Sequence, residues 1–238
     1  IDNRRGNVIS EIRGKKQGPT VLLTTHVDTF YRDNNEIDEW GIDRNRLDLK
    51  LEPYEDNDFI IGRGAENAKG YMVAILAAMM ALKQSDVQLH GNVIAGLVSG
   101  GIITNTPDNI GLGIGTQHLI KNGVRPDVAI VAKGGPPISW ESAGCCWVKI
   151  SVTGDHAYMG SIKDSTHENP IISASMVIQV INQILNEEKV IGNITSIRSG
   201  FPFKAAVTSS TCDLFVDLKV KAGEDPLEVK RKFDEELS

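Results

Sequence analysis

The chain has 238 residues, 41% of them hydrophobic and 24% charged, enough apolar content to bury one or two ordinary cores and too much for a disordered segment. A net charge of -6 leaves no basic excess to neutralise phosphate, which argues against nucleic acid or an anionic membrane surface as partner. No apolar run reaches the roughly 18 residues that cross a bilayer, and no charged-then-apolar leader opens the sequence, so a cytoplasmic location is expected.

The chain opens in mid-pattern at Ile1-Asp2, which suggests residues upstream. Asn7 to Arg13 alternates apolar and polar residues, as a half-buried strand does. Turn chemistry from Gly14 to Pro19 leads into a fully buried strand at Thr20 to Leu23, whose run breaks into polar residues at His26 and Asp28. From Arg32 to Asp58 there are ten acidic residues against four basic ones and little periodicity, the composition of a solvated surface excursion.

Phe59-Ile60-Ile61 runs into Gly62-Arg63-Gly64-Ala65-Glu66-Asn67-Ala68-Lys69-Gly70 and then a helical pattern from Tyr71 to Leu82. A strand that ends in closely spaced glycines and opens a helix presents backbone N–H groups at the carboxyl end of a sheet, where ligands of α/β proteins sit. The following stripe of Met72, Ile75, Leu76, Met79, Met80 and Leu82 reads as core. A strand at Asn92 to Leu97, a short helix at Thr116 to Lys121 and a strand at Val128 to Ala132 complete the pattern of a mostly parallel, doubly wound α/β sheet.

After Gly134-Gly135-Pro136-Pro137 the pattern changes. Cys146 to Val152 alternates, and Pro170 to Leu185 is an amphipathic helix expected to bury Ile172, Met176, Val180 and Ile184. Thr211 to Val220 alternates again, and Asp225-Pro226 caps a last helix from Leu227 to Leu237. Two domains are therefore expected, residues 1–141 and 142–238, the second a small α+β unit. The three cysteines, Cys145 and Cys146 adjacent in an apolar strand, form neither a disulfide framework nor a zinc-finger spacing and read as small core residues.

The stretches Thr25-His26-Val27-Asp28-Thr29 and Gly62 to Gly70, with Ser196 to Val220 in the second unit, resemble the zinc-dependent deacylase and carboxypeptidase family that includes acetylornithine deacetylase and succinyl-diaminopimelate desuccinylase. The resemblance implies a zinc-peptidase-like catalytic domain carrying an inserted, ferredoxin-like dimerisation or lid domain. It makes His26 a zinc ligand and Asp28 the residue that orients it, and it usually places a Trp, here Trp40, before the glycine turn. The second motif normally carries an Asp that bridges two metals, a position held here by Asn67, whose neutral amide cannot hold two dications as a carboxylate does.

Other family positions also differ. The strand from Asn92 should end in adjacent acidic residues, a general base and a metal ligand, and it reads Leu97-Val98-Ser99-Gly100-Gly101. The next strand should end in Glu or Asp and instead leads to Lys133-Gly134-Gly135; Lys133 either replaces a cation if buried or reaches out to solvent. In the lid, the residue that stabilises an oxyanion across the dimer corresponds to His156 if a small gap is allowed, or to Tyr158 if not. Arg198 is either a clamp for a substrate carboxylate or an exposed arginine before a glycine turn. The lid's last strand and the returning half of the catalytic domain, with a further zinc-binding His, have no counterpart, so the native protein is expected to be longer or truncated.

His90, His118 and His167 lack ligand spacing and read as surface residues, and nothing reads as a Ser/His/Asp hydrolase, a P-loop or a dinucleotide fingerprint. The favoured expectation is a catalytically silent relative, with no cofactor, that binds a small carboxylate. It would form a homodimer through the lid, or a heterodimer in which His156 serves an active paralogue. The alternatives are an active hydrolase of N-acyl amino acids or peptides, using zinc or cobalt with ligands drawn from Asp33 to Asp58 or from a missing C-terminal part, and a regulatory module that binds a small carboxylate.

Overall fold

The computed structural model describes residues 5–30, 45–102, 105–106, 109–110, 113–134, 138–161, 167–187 and 189–238. Trp40, most of the acidic stretch before Asn45, and Gly135 to Pro137 lie outside the described residues. The chain divides into two compact units, Ile1–Pro136 and Pro137–Ser238.

The first unit runs through β1 (Val8–Arg13), β2 (Lys16–His26), the hairpin β3 (Tyr54–Asp56) and β4 (Phe59–Ile61), an irregular wide helical turn at Ala65–Gly70, α1 (Tyr71–Gln84) and β5 (His90–Val98). It continues through the two-residue strands β6 (Asn105–Thr106) and β7 (Asn109–Ile110), then α2 (Ile114–Lys121) and β8 (Val128–Val131). Its main sheet has the order β1-β5-β2-β8. Strand β2 is parallel to both β5 and β8, and β1 enters antiparallel to β5.

Side-chain alternation along β2 and β5 sends apolar groups to both faces of this sheet. On one face Ile75 and Met79 of α1 cover Ala95 and Leu97 of β5, with Leu23, Val27 and Met72 packed alongside. On the other, the Leu119 and Leu22 methyls close over the Cα of Gly96. Helices thus lie on both faces, which makes the sheet doubly wound and mostly parallel. Only part of the methionine stripe enters the core, since Leu76 and Met80 are exposed.

The second unit contains β9 (Gly144–Thr153), α3 (Pro170–Asn186), β10 (Gly192–Ser199), β11 (Thr211–Val220) and α4 (Pro226–Leu237). Its antiparallel sheet has the order β10-β11-β9. Every second residue of the central strand, Cys212, Leu214, Val216, Leu218 and Val220, is buried beneath Ala174, Ile181 and Ile184 of α3 and Val229 and Phe233 of α4. Both helices start as the sequence indicates: Asn169 and Asp225 accept hydrogen bonds from the Ile171 and Leu227 amides, each at 2.9 Å, ahead of a proline at the first turn.

Two features of this unit differ from the sequence reading. The α3 face that packs is Pro170, Ala174, Ile181 and Ile184, while Ile172, Met176 and Val180 are exposed. This helix carries two apolar stripes, and the one containing the small Ala174 is the one that packs on the sheet. Strand β10 has no clean alternation because its register shifts between Ile194 and Ser196, and such a bulge breaks the period of two.

Candidate active site

Strands β5, β2 and β8 end at one edge of the sheet. Register pairs His26 with Val98 and Thr24 with Val131, and the Val27 and Ala132 amides extend the ladders by donating to Val98 O at 2.8 Å and Thr24 O at 2.9 Å. Thr24 and Thr25 are buried here at no polar cost, since their hydroxyls donate to Gly96 O and Ala132 O, both at 2.7 Å. The polar residues that interrupt the apolar run of β2 therefore fasten three strand ends together.

His26 is 4% exposed. Its Nδ1 lies 3.1 Å from the backbone oxygen of Asp28, and an imidazole that donates there carries its lone pair on Nε2. That Nε2 is buried with no hydrogen-bond partner. The Asp28 carboxylate, expected to orient the ring, instead accepts from the Gly101 amide at 2.6 Å; Asp28 orients the imidazole through its carbonyl.

The glycine turn meets this motif. The Thr29 methyl and the Lys69 ammonium lie 2.5 and 2.6 Å from where a Cβ of Gly64 would stand, and Gly64 takes the left-handed conformation with φ 71°. Arg63 ties the turn to the preceding segment by donating from Nε and Nη2 to Leu49 O at 3.1 and 2.9 Å. Asn67 is exposed and departs from helical geometry with φ -102° and ψ 100°. The Tyr71 hydroxyl lies 2.8 Å from Glu66 Oε1 and 2.9 Å from Gly134 O, and its hydrogen bond with the Glu66 carboxylate holds the phenol above its ordinary pKa.

Where acidic residues would follow β5, the backbone itself is packed. A Cβ on Gly101 would overlap the His26 Cβ and stand 2.8 Å from its Cγ. Gly100 has φ 75°, and a Cβ there would lie 2.5 Å from Ile114 Cγ2. The start of α2 is consumed by the same loop, its Gly113 and Gly115 amides donating to Gly100 O at 3.0 Å and Ser99 O at 2.9 Å. Asn7 clamps the arrangement by accepting from the Ser99 amide at 3.1 Å and donating to Gly115 O at 2.8 Å. Ser99 is buried with its hydroxyl unpartnered, a feature without a distinguishing sequence signal.

Lys133 is exposed, so the burial on which its replacement of a cation depended is not met. Among the described residues no group of three or more His, Cys, Asp or Glu side chains is placed to hold a metal ion. His26 suits a metal by its buried, unpartnered Nε2, but the donors around it do not suit a dinuclear centre. An amide (Asn67), a Ser-Gly-Gly run after β5 and an exposed lysine stand at the positions where the resemblance to the zinc deacylases implies carboxylates.

In the second unit, His156 is exposed, with Nδ1 2.7 Å from Thr208 O. A ring that donates from Nδ1 presents Nε2 as an acceptor when neutral and as a donor only as imidazolium. Tyr158 is exposed beside it, bridged to Val207. Arg198 is exposed opposite Asp213, whose carboxylate also meets Lys149 at 2.8 Å and Ser151 Oγ at 2.7 Å. The hydrogen bond from Lys149, then that from Ser151, holds the Asp213 pKa below the usual carboxylate value. His167 departs from the surface reading: it is half-buried, with Nδ1 3.6 Å from Asp155 Oδ2 and Nε2 buried without a partner.

No family model matches the chain. Over 128 residues, 53% of its length, it is 30% identical to the N-formyl-4-amino-5-aminomethyl-2-methylpyrimidine deformylase of Bacillus subtilis, a match that spans 26% of that relative. In three dimensions 97% of the chain superposes on 60% of the dipeptidase Dug1p of Saccharomyces cerevisiae, with TM-score 0.65 and 12% identity. The same share covers 57% of the YXEP protein of Bacillus subtilis, a dinuclear metal-binding peptidase of the M20 family, with TM-score 0.51 and 16% identity. The chain has the fold of the M20 peptidases. It spans little more than half the length of these structures and about a quarter of the deformylase.

Proposed function

We propose that this chain is a catalytically silent relative of the metal-dependent amide hydrolases, of the acetylornithine deacetylase and succinyl-diaminopimelate desuccinylase kind, that retains the first ligand imidazole without the dinuclear centre. One observation carries the reading: the Gly101 backbone lies so close to His26 that no side chain, and hence no carboxylate, fits at that position. Asn67, neutral and exposed, offers no carboxylate to bridge two cations, and among the described residues no three His, Cys, Asp or Glu side chains group to hold a metal.

What such a chain retains is a surface for a small carboxylate and a capacity to associate. The exposed Arg198 suits the first and the exposed Ile172, Met176 and Val180 of α3 suit the second, as a homodimer through the second unit or as a heterodimer that lends His156 to an active paralogue. The test is calorimetric titration with N-acyl amino acids and simple dicarboxylates, run beside a hydrolysis assay. Binding weakened by Arg198→Met, without turnover, is expected; turnover of an N-acyl amino acid overturns the reading.

A second reading, an active hydrolase, is favoured by the likeness to the deformylase and by the unpartnered His26 Nε2. It requires ligands from the acidic segment Asp33 to Asp58, or from a further C-terminal part, to reach His26.

A further inference from the structure

We draw no further inference here: the strongest candidate, the lysine-lined cleft of the second unit between the loop of residues 189–191, the end of β11 and α4, carries nothing, because Glu187 and Glu236 already pair with Lys189, Asp217 pairs with Lys219, and nothing in the structure shows what covers it.

Discussion

The Gly101 amide donates to Asp28 Oδ2 at 2.6 Å, so the aspartate of the first motif holds the loop that follows β5. The same residue receives the His26 Nδ1 proton on its carbonyl, 3.1 Å away. Asp28 therefore locks the tautomer of the imidazole with its backbone and the position of the Gly101 loop with its side chain. Asp28→Ala leaves the Gly101 amide without its acceptor and should destabilise the first unit by about 1–3 kcal/mol, with Asp28→Asn milder because its carbonyl oxygen still accepts. Urea unfolding of both variants measures the difference, and equal losses would show that the carboxylate does not hold the loop.

Gly101 is expected to resist any side chain. Gly101→Ala must move His26 and should cost about 1–3 kcal/mol, as other overpacked sites do. Gly101→Glu, the change that would reinstate an acidic residue, should unfold at lower denaturant than Gly101→Ala and gain no hydrolysis. A stable Gly101→Glu protein would mean that the loop retreats from His26 readily.

Asn67→Asp alone should not create a metal pair. It supplies the bridging carboxylate at an exposed turn, while the loop after β5 still lacks both a base and a ligand. Calorimetric titration of the variant with zinc should show no tight stoichiometric site, and a site tight enough to bind two ions would contradict the account.

Asp213 provides a pH-dependent check on the second unit. Its folded pKa is lowered by Lys149 and Ser151, so its contribution to stability is fully present above the ordinary pKa of an unfolded aspartate. That contribution is lost as pH falls through the lower, folded value. Carbon-detected NMR titration should place the Asp213 midpoint below that of an ordinary aspartate, and Lys149→Met should raise it. An unchanged midpoint in Lys149→Met would remove Lys149 as the cause.

Much of this was legible in the sequence. The buried run of β2, the alternation of β11 and the two Pro-capped helices each follow from a local pattern, and the structure has them at the expected places. Strand β10 was not legible, because Ile194 and Ile197 lie three positions apart in sequence and only the bulge at Thr195 sets them opposite Val216 and Leu214 on one face. The packed face of α3 was not legible either, since both stripes are apolar and only contact with β11 selects the one with Ala174. At the site, the absence of acidic side chains at Asn67, Gly100 and Gly101 could be read directly, but not that the Gly101 backbone packs against His26. That depends on a contact between residues 26 and 101, which no local pattern reports. The Asp155 and His167 pair was hidden for the same reason.

The most direct test of the central claim is elemental analysis of the purified chain after equilibration with excess zinc or cobalt and removal of free metal, beside the same treatment of His26→Ala. Neither protein should retain a stoichiometric metal pair or hydrolyse N-formyl or N-acyl amines. Two ions per wild-type chain, lost with His26→Ala and accompanied by amide hydrolysis, would contradict that claim.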